Sequence, residues 1–206
     1  MPQVDPPEQA AELLRYWFGE AAHDVQATWV SRRALWFGKD AALDAEIRAR
    51  FGALQVLAAA GALASWARSP RGALALILLL DQCPRNLFRA SPQAFATDAQ
   101  ALRQALAMVD AGDDARLWPI ERVFVYLPLE HAEELAAQQQ SVALFTALRD
   151  TAPQADRARF DDFLDFAQRH HAIVARFGRF PHRNAILGRA SSAEERAFLQ
   201  QPGSGF

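Results

Sequence analysis

The sequence predicts an all-α protein, and three observations indicate this class. Apolar residues recur at three- and four-residue steps in most segments, as they do on the buried face of an amphipathic helix. Residues typical of helix starts and stops, such as Ser or Asp before a segment and Gly after it, bound these segments. No alternating strand pattern with a hairpin dipeptide is present. The length of 206 residues suits one domain, which we expect to span residues 1–206.

The first quarter of the chain predicts three helices. Asp5 is placed to cap the first helix, which ends at "YWFG" (16–19). The second helix ends at "LWFG" (35–38), and the third covers about residues 40–60. The aromatic pairs of the two similar endings would line a peptide groove if they were exposed, but we expect them to pack in the core.

The middle of the chain contains the most apolar helix. Ser69 is its predicted N-cap, and its body is "ALALILLL" (73–80). This run is much shorter than the roughly 20 residues of a membrane span, so it predicts a buried core helix. Pro84 disfavours helical backbone at Cys83, and we therefore expect the helix to end there. Another helix is expected over about residues 97–111.

Further helices are predicted in the second half. Two or three helical pieces are interrupted at Pro128, because proline lacks the amide hydrogen that a helix interior needs. A long amphipathic helix then ends at Gly178. A capping box at Ser191 and Glu194 opens a short final helix.

Composition argues against several classes of function. The net charge of -2 lacks the basic excess of a general nucleic-acid binder. Cys83 is the only cysteine, so no internal disulfide can form, as is usual in the cytoplasm. The N-terminal stretch has neither the basic nor the apolar region of a secretion signal. We therefore expect a cytoplasmic protein that binds neither nucleic acid nor membrane; its cofactors and oligomeric state stay open.

Polar residues concentrate in two turns that resemble each other. "DQCPRNLFR" (81–89) places Asp81 at the predicted end of the apolar helix, where a carboxylate is unfavourable without a cation such as Arg85 or Arg89. "RFGRFPHRNAILGR" (176–189) holds four arginines, a histidine and an asparagine. Each turn contains an Arg-Asn pair shortly after a proline, in "CPRN" and in "FPHRN".

The charges of these turns have two interpretations. Guanidinium groups present forked N–H donors, so Arg176, Arg179 and Arg183 predict a pocket for a carboxylate or phosphate. Alternatively, the same arginines cap helix ends and pair with the Asp161–Asp165 carboxylates. Asp81 is likewise either part of a site or half of a buried ion pair that locks its turn. The sequence leaves both alternatives open.

A third polar cluster lies in "YLPLEHAEEL" (126–135). Glu130 and His131 are adjacent and point in different directions on a helix, whereas His131 and Glu134 could share a face. No motif of metal-ligand spacing is present, and we expect no metal site. Nucleophilic catalysis has little support, because capping explains Ser141 and Cys83 is expected to be a small buried residue.

Together these motifs resemble a bacterial family, the domain of unknown function numbered nine hundred and twenty-four. The resemblance covers nearly the whole chain from "YWFG" onward. It implies a fold similar to tetratricopeptide-repeat proteins, a superhelix of antiparallel helix pairs, and it implies no established activity. Two positions depart from the family pattern. Cys83 stands where an aromatic residue is typical, and Ala132 where a serine is typical, which argues against a thiol or a serine nucleophile at these places.

The clusters and the resemblance lead to two hypotheses about function. The first is a site for a small anionic ligand in a hydrolase or transferase, with His131 or His182 as acid or base. The second is a tetratricopeptide-like module that binds an acidic peptide segment. The predicted ligand-binding residues are Asp81, Gln82, Arg85, Asn86, Arg89, Glu130, Arg176, Arg179, Arg183 and Asn184. A third possibility is that all of these residues only lock helix ends together.

Overall fold

The computed structural model describes residues 5–205, and within this range the chain is helical without any strand. The all-α prediction is therefore confirmed. Residues 1–4 and 206 lie outside the described residues, and with them part of the stretch that lacks a secretion signal. The α-helices are α1 (Glu8–Phe18), α2 (Val25–Phe37), α3 (Ala41–Ala59), α4 (Pro70–Ile77), α5 (Cys83–Leu87), α6 (Asp98–Asp110), α7 (Pro119–His131), α8 (Leu135–Thr151), α9 (Arg157–Phe177) and α10 (Ala193–Leu199).

Two almost completely buried helices occupy the centre of the fold. In α4 every residue from 72 to 77 is apolar and buried, and in α7 nearly all side chains from residue 120 to 130 are buried. A helix that is apolar all round must be covered by other elements. For α7 these are mainly α4, α6, α8 and α9, and α2 packs on it as well. No helix within residues 5–205 combines the length and the apolar character that crossing a bilayer requires.

Aromatic side chains join the N-terminal helices to this centre. Phe124 of α7 contacts Trp36 with a centroid separation of 4.9 Å and Phe18 at 5.2 Å, both in edge-to-face geometry. The indole Nε1 of Trp36 donates a hydrogen bond of 2.9 Å to the backbone oxygen of Trp17. Burial of the two aromatic pairs is confirmed for these residues, whereas Phe37 is half exposed.

The apolar helix does not end at Cys83 as the sequence predicts. It widens into a π-helical turn, Leu78–Gln82, in which the Cys83 amide bonds to the Leu78 oxygen, and then continues as α5. Pro84 has no amide hydrogen for the Leu80 oxygen, but the Thr97 hydroxyl donates to that oxygen at 2.5 Å. A distant side chain thus replaces the bond that proline removes. Asp81 consequently lies inside a continuous helix, and its predicted place at a helix end is wrong.

The interruption predicted at Pro128 is also wrong, because α7 continues through this proline to His131. The helix ends where Gln138 donates its side-chain amide to the backbone oxygens of Glu130, at 2.5 Å, and Ala132, at 2.7 Å. Burial of nearly every α7 side chain outweighs the local cost of the proline. Ser141 is buried within α8, so it does not cap a helix as predicted.

Local capping signals gave mixed results. Ser69 accepts from the Gly72 amide, and Gly178 ends α9 with a positive φ of 69°, both as predicted. Asp5 does not cap α1, which begins without a side-chain cap. The capping box of α10 is one residue later than predicted, at Ser192 and Glu195. These differences move helix starts by one to a few residues and leave the elements themselves unchanged.

Candidate functional site

A buried polar network lies where the π turn, the end of α7 and the loop after α9 meet. Its centre is Asp81, whose side chain is fully buried. The carboxylate accepts from Gln82 Nε2 at 2.6 Å and from His131 Nδ1 at 2.8 Å, and it faces Arg85 Nη1 at 3.2 Å. Three predicted site residues therefore contact a fourth, although His131 lies 50 positions from Asp81 in the chain.

Asp81 orients the imidazole of His131. Burial opposes ionisation of Asp81, but the charge of Arg85 and the interaction with His131 hold its pKa well below the usual range. For His131, burial and then the charge of Arg85 lower the pKa against the attraction of Asp81. At neutral pH the imidazole is therefore neutral and donates Nδ1–H to the carboxylate. Nε2 is then the nitrogen that is able to take up a proton.

A second carboxylate joins two arginines that are far apart in sequence. Asp98, the first residue of α6, accepts from Arg85 at 3.1 and 3.2 Å and from Arg183 Nη1 at 3.4 Å. Burial raises the pKa of Asp98; the charge of Arg85 acts against this and that of Asp81 reinforces it. Sequence reasoning missed Asp98 because its position after Thr97 is fully explained by the start of a helix.

The guanidinium of Arg183 is buried between two aromatic rings. Its carbon lies 4.7 Å from the ring centroid of Phe95 and 4.5 Å from that of Phe180. Burial, followed by the charge of Arg85, lowers the pKa of Arg183 to about 10, so it stays charged at neutral pH. Its Nε has no hydrogen-bond partner within the described residues. Phe95 had no signal in the sequence beyond its apolar character.

Glu130 belongs to a separate carboxylate–histidine pair. Its Oε1 lies 3.2 Å from Nδ1 of His170, which also hydrogen-bonds the Phe166 oxygen at 2.8 Å. Burial, then the charge of Asp81, raises the pKa of Glu130 to about 8. Burial, then the charge of His131, lowers the pKa of His170 to about 3. Both members are consequently uncharged at neutral pH, in contrast to Asp81.

His182 lies in a short 3₁₀ turn, Pro181–Arg183, with its ring centroid 5.6 Å from that of Phe180. Burial and then the charge of Arg183 lower the pKa of His182 to about 4. The turn is held by Glu133, which accepts from the Phe180 amide at 2.7 Å and from Arg189 at 2.5 and 2.9 Å. Glu133, also missed by sequence reasoning, thus fixes the loop after α9 close to the end of α7.

The other predicted site residues lie in separate contacts. Asn86 donates to Asp44 at 2.9 Å, and Arg89 pairs with the same carboxylate. The remaining three are also paired locally: Arg176 with Glu194 at 2.7 Å, Arg179 with Glu195 at 2.7 Å, and Asn184 with Ser191 at 3.0 Å. Of the five arginines that the sequence predicts to bind a ligand, Arg85 and Arg183 are therefore the two that belong to the network.

The alternative pairing of the turn arginines with the Asp161–Asp165 carboxylates is wrong. Asp161, Asp162 and Asp165 face Arg149, Arg159 and Arg169 instead. The hydrogen bonds from Arg179, followed by that from the Ser192 amide, lower the pKa of Glu195 to about 2. Arg176 and Arg179 thus pair with glutamates of α10 and not with the aspartates of α9.

Two cavities lie away from this network. One of about 390 Å³ is bounded by the end of α3 and by Leu76, Leu80 and Arg103. The other, of about 200 Å³, is lined by Arg71, Trp118 and Glu121. Neither is lined by Asp81, Asp98, His131 or Arg183.

The part of the chain that the structure describes contains neither a group of side chains suited to a metal ion nor an accessible thiol. Among residues 5–205, no three His, Cys, Asp or Glu side chains are grouped so that they could hold a metal ion. Cys83 is buried, and burial together with the charge of Asp81 raises its pKa to about 12. Cys83 is therefore a protonated, small packing residue.

Comparison with known proteins extends over almost the whole chain. The family described as "Bacterial protein of unknown function (DUF924)" matches residues 13–203. A solved structure, that of the protein of unknown function ATU0120 from Agrobacterium tumefaciens, is 37% identical with a TM-score of 0.78. The alignment covers 94% of this chain and 97% of that one. No curated protein matches the chain.

Proposed function

Because the chain belongs to the bacterial family DUF924, whose description names no activity, we propose a function from the buried network itself. The protein binds a small anionic ligand and exchanges a proton with it through His131. The observation that supports this proposal best is the Asp81–His131 contact of 2.8 Å, which lies beside the buried Arg183 and the partly buried Arg85. The ligand carries a carboxylate or a phosphate group, which are the partners that guanidinium groups fit.

His131 is suited to act as acid or base for geometric and electrostatic reasons. Asp81 fixes the orientation and the tautomer of the ring, as a carboxylate does for histidine in many hydrolytic sites. His131 is partly exposed, whereas Asp81 is fully buried, so the histidine is the member that a ligand meets. A base of this kind would activate a water or a ligand hydroxyl, which makes a hydrolase or transferase the best reaction class.

The arginines supply the charge that an anion needs. Arg85 contacts both carboxylates of the network, and Arg183 keeps an Nε–H without a partner in the described part of the chain. Burial strengthens any ion contact made at these groups, because little water screens it. His182, the second acid–base candidate, lies beside Arg183 and would be the alternative proton carrier.

A thermal-melting screen tests the proposal. We expect inorganic phosphate or a dicarboxylate such as succinate to raise the melting temperature saturably in wild type. The rise should disappear in Arg183→Ala and persist in the control Arg176→Ala, whose arginine belongs to the same loop but pairs with an exposed glutamate. Absence of a shift with every anion, together with a large stability loss in Arg183→Ala, would mean that the network only stabilises the fold.

The second hypothesis is recognition of an acidic peptide segment by a tetratricopeptide-like superhelix. The packing of α7 on α8 and of α8 on α9, each across a short connection, favours it, because stacked helix pairs build such superhelices. The pairing of Arg176, Arg179 and Arg189 with internal glutamates speaks against an acidic partner at this loop. An acidic peptide in the same screen separates the two functions: a shift with the peptide and none with small anions would favour the module.

A further inference from the structure

The two arginines of the network, buried Arg183 and partly buried Arg85, are already matched in number by two carboxylates. Arg85 lies 3.2 Å from Asp81 and 3.1 Å from Asp98, and Arg183 lies 3.4 Å from Asp98. A further anion at these arginines would add a negative charge without a partner, and a buried charge without a partner is costly. An anionic ligand can therefore reach Arg85 and Arg183 only if one of the two carboxylates moves away.

Asp81 is unable to move. It lies inside the continuous helix of α4 and α5, it is fully buried, and it holds Gln82 and His131 in addition to Arg85. Its displacement would leave these donors without an acceptor, and a buried polar group without a hydrogen-bond partner is destabilising.

Asp98 has none of these constraints. Within residues 5–205, Arg85 and Arg183 are the hydrogen-bond partners of its side chain, and about a fifth of that side chain is exposed. It stands at the first position of α6, next to solvent. Burial and the charge of Asp81 outweigh the attraction of the arginines, so the pKa of the Asp98 carboxyl is raised.

The contacts of Asp98 also indicate which chemical group of a ligand would replace it. Its two oxygens meet two nitrogens of Arg85, at 3.1 and 3.2 Å, which is the paired arrangement that guanidinium makes with a carboxylate. Arg183 makes fewer hydrogen bonds. Its Nη1 donates to Asp98 at 3.4 Å, and its Nε has no partner within residues 5–205. A ligand carboxylate placed nearer to Arg183 would gain contacts that Asp98 does not make.

We infer that Asp98 and a carboxylate of the ligand compete for the same site on Arg85 and Arg183, so that Asp98 controls the affinity of the protein for carboxylates. This inference rests on the proposed function, because it identifies the ligand class of the same site. Asp98 swings out toward solvent when the ligand carboxylate binds, and the number of buried charges stays balanced.

Calorimetric titration with succinate at constant ionic strength tests the inference. Asp98→Asn keeps the shape of the side chain and removes the competing charge, so we expect it to bind succinate about tenfold or more tightly than wild type. Adding Arg183→Ala should abolish the gain. The matched control is Asp44→Asn, since Asp44 also pairs with an arginine and accepts from an asparagine but lies outside the network; it should bind like wild type. Asp98→Ser provides a second variant if Asp98→Asn does not fold.

Each outcome has a defined meaning. Tighter binding of succinate in Asp98→Asn, lost with Arg183→Ala, supports the competition. Equal binding by wild type and Asp98→Asn, still dependent on Arg183, overturns the competition and leaves the proposed function intact. An equal gain for sulfate overturns the assignment to carboxylates, because it would reflect net charge alone. Absence of succinate binding in every protein overturns the inference; the proposed function is overturned as well only if inorganic phosphate also fails to bind.

Discussion

The turns "CPRN" (83–86) and "FPHRN" (180–184) share an Arg-Asn pair after a proline, yet the arginines and the asparagines of the two turns differ in how their partners are distributed in the fold. The arginines converge: Arg85 and Arg183 meet at Asp98. The asparagines diverge: Asn86 donates to Asp44 in α3, and Asn184 to Ser191 before α10. The long, charged side chains reach a common acceptor, whereas the short amides hold each turn to its own neighbours. Similar sequence therefore produced a shared site and two separate anchors.

The largest loss of stability is expected for removal of Arg85, in comparison with Arg89 of the same turn. Arg85→Ala leaves both Asp81 and Asp98 without their main cation, so we expect a loss of about 3–5 kcal/mol in the free energy of unfolding. Urea denaturation followed by circular dichroism measures it. Arg89→Ala, in the same turn but about a third exposed and paired with Asp44, is the control and should lose about 1 kcal/mol or less. Equal losses in the two variants would contradict the central position of Arg85.

A second prediction compares the two carboxylate–histidine pairs through pH. The pKa of Glu130 is raised to about 8 in the fold and is ordinary when unfolded, so its stabilising effect is complete below about pH 4.3 and is lost as the pH rises toward 8. Between pH 5 and 7.5 the free energy of unfolding therefore falls by about 2–3 kcal/mol. Glu130→Gln should remove this slope.

Chemical denaturation of wild type and Glu130→Gln at four pH values between 5 and 8 is the measurement. His170, whose pKa is lowered, contributes an opposite slope below about pH 6.5, but it contributes to both proteins and cancels in their difference. Asp81→Asn serves as contrast: the pKa of Asp81 is lowered, so the stabilisation that this carboxylate provides stays constant over the same range. Parallel curves for wild type and Glu130→Gln would show that Glu130 is ionised in the fold.

The third prediction concerns Arg183 alone. Its single long ion contact and its position between Phe95 and Phe180 suggest a cost of about 2 kcal/mol for Arg183→Ala, below that of Arg85→Ala. Arg183→Met, which keeps apolar contact with the rings, should recover part of the loss. The melting temperatures of the three proteins decide this. A full loss in Arg183→Met would mean that the charge of Arg183, and not its packing, stabilises the loop.

The smallest effects are expected for the asparagines. Asn86→Ala and Asn184→Ala each remove one hydrogen bond and should cost about 1 kcal/mol. Neither change should alter the binding of succinate or phosphate, because both residues lie in separate contacts. Stability and ligand titrations on the same preparations measure both quantities. A loss of ligand binding in Asn86→Ala alone would extend the site toward α3.

Part of the candidate site could be predicted from sequence, and the part that could not has a common feature. Asp81, Arg85, His131 and Arg183 lie in the three polar clusters that the sequence indicates as candidate sites. Asp98 was missed because starting a helix explains an aspartate at that position. Its partners lie 13 and 85 positions away, a relation that no local pattern contains. The pairing of Glu130 with His170 depends in the same way on the packing of α7 against α9.

The sequence by itself determined the helical class, the burial of the apolar segments and the end of α9 at Gly178, because periodicity and left-handed backbone are local properties. The tertiary structure decided whether a helix passes through its proline. Pro84 is tolerated because Thr97 supplies the missing hydrogen bond, and Pro128 because its helix is buried on all sides. It also decided which carboxylate each arginine meets, since a long side chain pairs with whatever acceptor packing brings within its reach.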